Sequence, residues 1–154
     1  MAVRPSLRCS LIVTAAIAAL SSCTPHLPSA PPNDIAIRIE WSGRADLDLY
    51  VKEPGGTELS RHTTQSPSGA VYSGDCNATP QTMCASPMEM VYWPKRNAPA
   101  GTFQYRVLLV NNHLDAMPIT FKVFVLHGTK IVHEEDGSIA GVGQWWGART
   151  ASRK

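Results

Sequence analysis

Apolar and polar residues alternate with a period of two along most of the chain after residue 34. In the first such run, isoleucines at positions 35, 37 and 39 are separated by small or charged residues, and Trp41 ends the run. This spacing places one row of side chains on each face of a strand, so the run predicts a half-buried β-strand. Similar runs lie at residues 46–51, 70–72, 89–93, 102–111, 119–126 and 130–133.

Short turns rich in Pro and Gly separate these runs. Residues 53–56 and 98–101 are two such turns, and residues 127–129 join two alternating runs in a predicted hairpin. After the first 22 residues, no window shows an apolar stripe of helical period. The pattern therefore predicts an all-β domain over residues 35–147, an antiparallel β-sandwich of jelly-roll or immunoglobulin-like type. Its expected core includes Trp41, Phe103 and Phe121.

The end of the chain is less regular than the rest. Trp145 and Trp146 either form a final strand or lie on the surface, and residues 148–154 are expected to be a frayed tail. Adjacent residues of a strand point to opposite faces, so at most one of the two tryptophans is readily buried. Aromatic side chains with a polar atom are enriched at interfaces. We therefore take Trp145, Trp146, Tyr92 and Trp93 as candidate binding residues.

The first 22 residues have the features of a cleaved, helical signal peptide. Arg4 and Arg8 precede a short apolar run, and small residues lead to Cys23. The run is shorter than the roughly 20 apolar residues of a membrane-spanning helix. A cysteine directly after Leu-Ser-Ser resembles the bacterial lipobox, in which that cysteine becomes the lipidated first residue. Thr24 in place of Asp resembles the outer-membrane sorting pattern, which implies a periplasm-facing outer-membrane lipoprotein. The alternative is an ordinary signal peptide with an incidental Cys23.

Composition after cleavage argues against a nucleic-acid partner. Removing residues 1–22 takes away Arg4 and Arg8, so 14 basic residues become 12 against 12 acidic ones. Residues 23–34 consist of Cys23 and a segment with four prolines, which predicts a semi-rigid tether. The remaining length suits one domain with its own core.

The cysteines predict one disulfide. Cys9 lies in the signal peptide and Cys23 is assigned to lipid, which leaves Cys76 and Cys84. In an oxidising compartment an even pair is most simply a disulfide, with a reactive thiol pair as the alternative. The pair lacks the further Cys or His ligands of a structural zinc site.

Several acidic residues are candidate ligands for a metal ion. Asp46 and Asp48 project from the same face of a predicted strand, about 7 Å apart, and repel each other unless a cation or donor lies between them. Asp75 and Glu89 could approach from neighbouring segments. Oxygen-only ligands suit Ca²⁺. The alternative is that the aspartates are solvated or accept hydrogen bonds from nearby loop N–H groups.

Part of the sequence, roughly from Ile39 to Val132, resembles the YfaP-type domain of unknown function and bacterial pre-peptidase-like β-sandwich modules. The resemblance rests on three segments in matching order: Trp41 to Gly56, with its Asp-Leu-Asp-Leu-Tyr-Val strand and Pro-Gly-Gly turn, Pro87 to Glu89, and Ala98 to Val107. Met88 interrupts the Pro-Glu pair of that pattern. The resemblance implies a β-sandwich accessory module without an established catalytic activity, and it carries acidic positions onto Asp46, Asp48 and Glu89.

Catalytic motifs are sparse in this chain. The histidines after the tether do not stand at a metal-ligand spacing, and the serines near residue 66 lack a nucleophile-elbow context. We therefore expect a non-enzymatic binding or accessory module of the cell envelope that engages a protein or polysaccharide partner. The alternative is a structural component that anchors an envelope complex to the outer membrane. An envelope hydrolase or inhibitor is the less favoured third class.

Overall fold

The computed structural model describes residues 35–94 and 97–153, which form nine strands in two antiparallel sheets. The strands are β1 (Ile35–Trp41), β2 (Asp46–Lys52), β3 (Glu58–Leu59), β4 (Val71–Ser73), β5 (Met88–Tyr92), β6 (Gly101–Asn111), β7 (Ile119–His127), β8 (Lys130–Ile139) and β9 (Trp145–Arg153). The five-stranded sheet has the order β4-β5-β1-β7-β8, and the four-stranded sheet has the order β3-β2-β6-β9. The predicted all-β sandwich is confirmed.

The expected signal peptide, Cys23 and the tether lie outside the described residues. Across the described ranges, no helix has the length and apolar character needed to cross a membrane. A short 3₁₀ turn, Pro80–Thr82, lies between β4 and β5.

The core lies between the two sheets and is built by the alternating residues. The isoleucines of β1 and the apolar residues of β2 are fully buried, as are Phe103 and Val107 of β6. Trp41 and Phe121 are buried with them, so the three predicted core aromatics are confirmed. Burying one row of side chains from each sheet supplies the main stabilisation of such a sandwich.

A second apolar cluster lies on the opposite face of the five-stranded sheet. Its residues alternate along β1, β5 and β7 with those of the main core, and Tyr92 packs against it. The buried members are Ala36, Met88, Met90, Phe124 and Leu126. Because of these residues, β5 carries apolar side chains on both faces.

The C-terminal segment differs from the expectation of a frayed tail. Residues 145–153 form β9, which pairs with β6 from Leu108↔Trp145 to Gly101↔Arg153. Backbone pairing with the long strand β6 orders this polar stretch, although most of its side chains remain exposed. The hairpin of β7 and β8 is present as predicted, but β8 continues to Ile139.

Candidate functional site

Three aspartates converge beside β2 in a cluster that we call the carboxylate pocket (Asp46, Asp48 and Asp75), in which Asp75 is only partly buried. Asp46 and Asp48 project from β2 on the face opposite its core leucines, and they are only 2 % and 0 % exposed. Asp75 approaches from the segment after β4. One carboxylate oxygen of each lies within 4.8 Å of the others. Three of the four acidic residues that the sequence offers as metal ligands therefore lie together, and the metal site itself stays a prediction.

Gly74 brings Asp75 to the pocket. Its φ is +117°, a backbone conformation that favours glycine. A Cβ at this position would lie 2.8 Å from the carbonyl oxygen of Met88, so no side chain fits between this turn and β5. The close approach of the two backbones sets the direction in which Asp75 leaves β4.

One positive charge lies directly against the pocket. The Nε of Arg61 is 2.9 Å from Oδ2 of Asp48, and the arginine side chain is partly exposed while the aspartate is fully buried. Arg61 follows β3 and reaches the pocket because the β2–β3 hairpin folds it back over β2. Sequence reasoning missed this residue, since an isolated arginine in a polar loop gives no sign of its partner.

The electrostatics of the pocket are unfavourable for three charged carboxylates. Burial, assisted by the nearby Asp48 and opposed by Arg61, raises the pKa of Asp46 to about 6. Burial likewise raises the pKa of Asp48, again against the effect of Arg61. Oδ1 of Asp46 and Oδ1 of Asp75 are buried and accept no hydrogen bond. Unpartnered buried oxygens of this kind carry a desolvation cost that a bound cation would offset.

Glu89, the fourth acidic residue offered by the sequence, is buried near this pocket. Its side chain is fully buried, and its Oε2 accepts a hydrogen bond of 2.7 Å from the N–H of Leu49. It is not one of the three carboxylates that converge. Burial raises the pKa of Glu89 well above its ordinary value, although the Leu49 N–H and the Tyr72 hydroxyl lower it. Through this hydrogen bond Glu89 links the two sheets, and its role as a metal ligand stays a prediction.

The predicted disulfide between Cys76 and Cys84 is confirmed, with a Cα–Cα distance of 5.5 Å. It closes a short loop that starts directly after Asp75. The carboxylate pocket and the disulfide are therefore adjacent in the chain and in space.

The four aromatic residues expected at a binding surface occupy different environments. Trp93 is fully buried, and its Nε1–H donates a hydrogen bond of 2.8 Å to Oε1 of Glu53, so it is not a surface anchor. Tyr92 is half-buried on the second apolar cluster, and Trp146 is half-buried with its ring 5.3 Å from that of Phe121. Trp145 alone of the four is exposed, at 45 %.

Trp145 belongs to an ordered group of side chains that we call the aromatic stack (Trp145, Tyr50, Arg106 and Glu58). The Trp145 and Tyr50 ring centroids are 4.8 Å apart, and the guanidinium carbon of Arg106 lies 4.1 Å from the Trp145 ring centroid. Nη2 of Arg106 donates to both carboxylate oxygens of Glu58, at 3.0 and 3.1 Å. These contacts hold a planar exposed ring in a defined orientation.

The aromatic stack and the carboxylate pocket share one sheet face. Asp48 is opposite Leu108 in the β2–β6 register, and Leu108 is opposite Trp145 in the β6–β9 register. Asp48 and Trp145 are therefore two strands apart in the same row, about 10 Å between backbones at the usual strand spacing.

The serine-rich loop after β3 is tied to the core by a buried glutamate. Oε1 of Glu53 accepts hydrogen bonds from the hydroxyls of Ser66 and Ser68 as well as from Trp93. The hydroxyl oxygens of Ser66 and Ser68 are also 2.9 Å apart. Because the acceptor is held by the Trp93 indole, this arrangement fixes the loop over the edge of the sandwich.

Comparisons of the chain with protein-family models, with curated proteins and with solved structures find no match.

Proposed function

We propose that this protein is an exported, lipid-anchored, non-catalytic binding module of the cell envelope whose carboxylate pocket holds a structural Ca²⁺ ion. The observation that carries the proposal is the convergence of the Asp46, Asp48 and Asp75 carboxylates within 4.8 Å, with buried oxygens that accept no hydrogen bond. Arg61 offsets one of the three negative charges. A divalent cation would balance the remaining two.

Calcium fits the donor set better than the transition metals do. The three aspartates offer oxygen donors only, and hard cations such as Ca²⁺ prefer oxygen ligands, with six to eight in flexible geometry. Calcium sites of extracellular modules have dissociation constants of about 10⁻⁴ to 10⁻³ M. A site of this strength would be occupied in a calcium-rich extracytoplasmic environment.

The ion would connect segments that are distant in sequence. Asp46 and Asp48 belong to β2, whereas Asp75 lies between β4 of the five-stranded sheet and the disulfide. Binding all three carboxylates would fix the β4–β5 connection against the four-stranded sheet. Since Tyr50 follows Asp48 on the same face of β2, the same ion would also steady one edge of the aromatic stack.

The aromatic stack is the proposed contact surface for a protein or polysaccharide partner. It combines an exposed indole with a charged pair, which is the composition of residues that dominate binding energy at interfaces. The lipidated Cys23 and the proline-rich tether would present this surface at the membrane.

Thermal unfolding of the mature protein, purified in detergent with its disulfide intact, tests the calcium site. Calcium at a concentration of one hundred times its dissociation constant adds about 2.7 kcal/mol to the free energy of unfolding. This corresponds to a rise of roughly 10 °C in Tm for a domain of this size. The Asp75→Asn variant should lose this shift. The Asp136→Asn variant should keep this shift, because Asp136 is an exposed carboxylate on β8 that faces Lys122 of β7. An unchanged wild-type Tm between chelator and calcium would overturn the proposed site.

A further inference from the structure

The loop between Cys76 and Cys84, which we call the disulfide loop, adjoins the carboxylate pocket in the chain. It starts at the residue after Asp75, and its own backbone is closed by a hydrogen bond of 2.9 Å from the N–H of Asn77 to the carbonyl of Thr82. The position of Asp75 is therefore set from one side by Gly74 and from the other by the disulfide loop.

Asn77 joins the disulfide loop to the segment that leads into Asp46. Its side chain is fully buried, and Nδ2 donates to the carbonyl oxygens of Ala45 at 3.1 Å and Gly43 at 3.3 Å. Oδ1 of the same side chain accepts a hydrogen bond of 3.0 Å from the N–H of Cys84. One amide thus contacts the far end of the disulfide loop and the residue directly before Asp46.

Further contacts hold these two segments together. A carboxylate oxygen of Asp115 accepts a hydrogen bond of 2.8 Å from the N–H of Ala45, and a ring nitrogen of His113 lies 2.9 Å from the carbonyl oxygen of Asn77. The β6–β7 connection therefore braces both the β1–β2 turn and the disulfide loop. The segments that carry Asp46 and Asp75 are therefore linked through Asn77.

We infer that the cation affinity of the carboxylate pocket depends on the Cys76–Cys84 disulfide, with Asn77 as the residue that transmits its effect from the disulfide loop to Asp46. This inference rests on the proposed function. Opening the disulfide frees the loop backbone and the Asn77 side chain, so that binding must then order them. Ordering even one or two residues weakens binding by about tenfold or more. The pocket would reach full affinity only after the disulfide has formed.

Calcium titration calorimetry on the detergent-purified mature protein tests the inference. The variants are Cys76→Ser/Cys84→Ser, which removes the disulfide, and Asn77→Gly, which keeps it and removes the coupling amide. Glycine suits position 77 because its φ is +69°. Gln81→Ala, an exposed substitution inside the same loop, is the matched control. Near-ultraviolet circular dichroism confirms that each variant keeps its packed core.

We expect both variants to bind calcium at least tenfold more weakly than the wild type, and Gln81→Ala to bind it with wild-type affinity. Wild-type affinity in a folded double-serine variant overturns the inference and leaves the calcium site standing. If the double variant fails to fold, Asn77→Gly decides the matter, and wild-type affinity there overturns the inference. Absence of calcium binding by the oxidised wild type overturns the proposed function itself.

Discussion

Glu89 on β5 accepts a hydrogen bond of 2.7 Å from the backbone N–H of Leu49 on β2, so one buried carboxyl group joins the two sheets. β3 pairs only with Val51 and Lys52 and does not reach Leu49. The side chain of Glu89 therefore takes the place of a missing neighbouring strand. Without it, a buried backbone donor would have no partner.

This relationship predicts different outcomes for two substitutions at Glu89. Glu89→Ala leaves the Leu49 N–H without an acceptor and creates a cavity, so it should lower the free energy of unfolding by about 2–4 kcal/mol. Glu89→Gln keeps an acceptor oxygen in the same shape and should cost clearly less. Urea denaturation of both variants provides the measurement. Equal stability of Glu89→Ala and the wild type would contradict the account.

The raised pKa of Asp46 predicts a pH-dependent loss of stability in the calcium-free protein. Its pKa is about 6 in the folded state and close to 3.8 in the unfolded chain, so the folded state holds the proton more tightly. The resulting stabilisation is fully present below pH 3.8 and is lost as the pH rises through 6. The Asp46→Asn variant lacks this titration.

In chelator, Asp46→Asn should therefore melt at a higher temperature than the wild type at pH 7.5. The gap should shrink as the pH falls below 6 and nearly close by pH 4. Measuring Tm for both proteins from pH 4 to 7.5 separates the titration of Asp46 from the titration of the other carboxylates, which the two proteins share. A gap that does not vary with pH would contradict the assigned cause.

The aromatic stack predicts that Trp145 contributes to partner binding and little to stability. Trp145→Ala should reduce the amount of partner that co-purifies from detergent-solubilised membranes, and its Tm should stay within a few degrees of the wild type. Val142→Ala, at another exposed apolar position near β9, is the control. If Trp145→Ala recovers as much partner as the wild type, the aromatic stack is not the binding surface. Recovery of a stoichiometric multi-protein complex would favour the assembly role.

The lipobox predicts acylation of Cys23. Cells grown with labelled palmitate should yield labelled protein in the membrane fraction, because stable anchoring requires more than one acyl chain. Cys23→Ser should remove the label and release the protein from the membrane. An unlabelled wild type would exclude the anchor and leave the folded domain as described.

Period-two patterns predicted most of the strands, because a strand that buries alternate side chains shows that alternation in its own residues. A final strand at Trp145 and Trp146 was one of two alternatives, but its extension through residues 148–153 escaped prediction, because these polar residues are ordered by pairing with β6 and not by their own hydrophobicity. The same limit applies to Trp93, whose indole is buried against Glu53, 40 residues away in the chain. The sequence shows that residues 148–153 are mostly polar and that residue 93 is aromatic. Whether each is paired, exposed or buried depends on partners that are distant in the chain.

The candidate site shows the same division between local and distant information. The spacing of Asp46 and Asp48 placed both on one face of β2, and Asp75 was expected near them. The sequence did not reveal that Arg61 reaches Asp48 or that the disulfide loop bonds to the residue before Asp46, because both approach through turns that follow other strands. Glu89 was grouped with the aspartates, yet the strand register turns its side chain toward the Leu49 N–H.

The amount of calcium bound by the oxidised, metal-stripped mature protein at pH 7.5, measured by equilibrium dialysis, tests the central claim most directly. We expect one calcium ion per wild-type chain in the carboxylate pocket and none in Asp75→Asn at the same free calcium concentration. A wild type that binds no calcium, or an Asp75→Asn variant that binds as much as the wild type, would contradict a calcium site formed by these three aspartates.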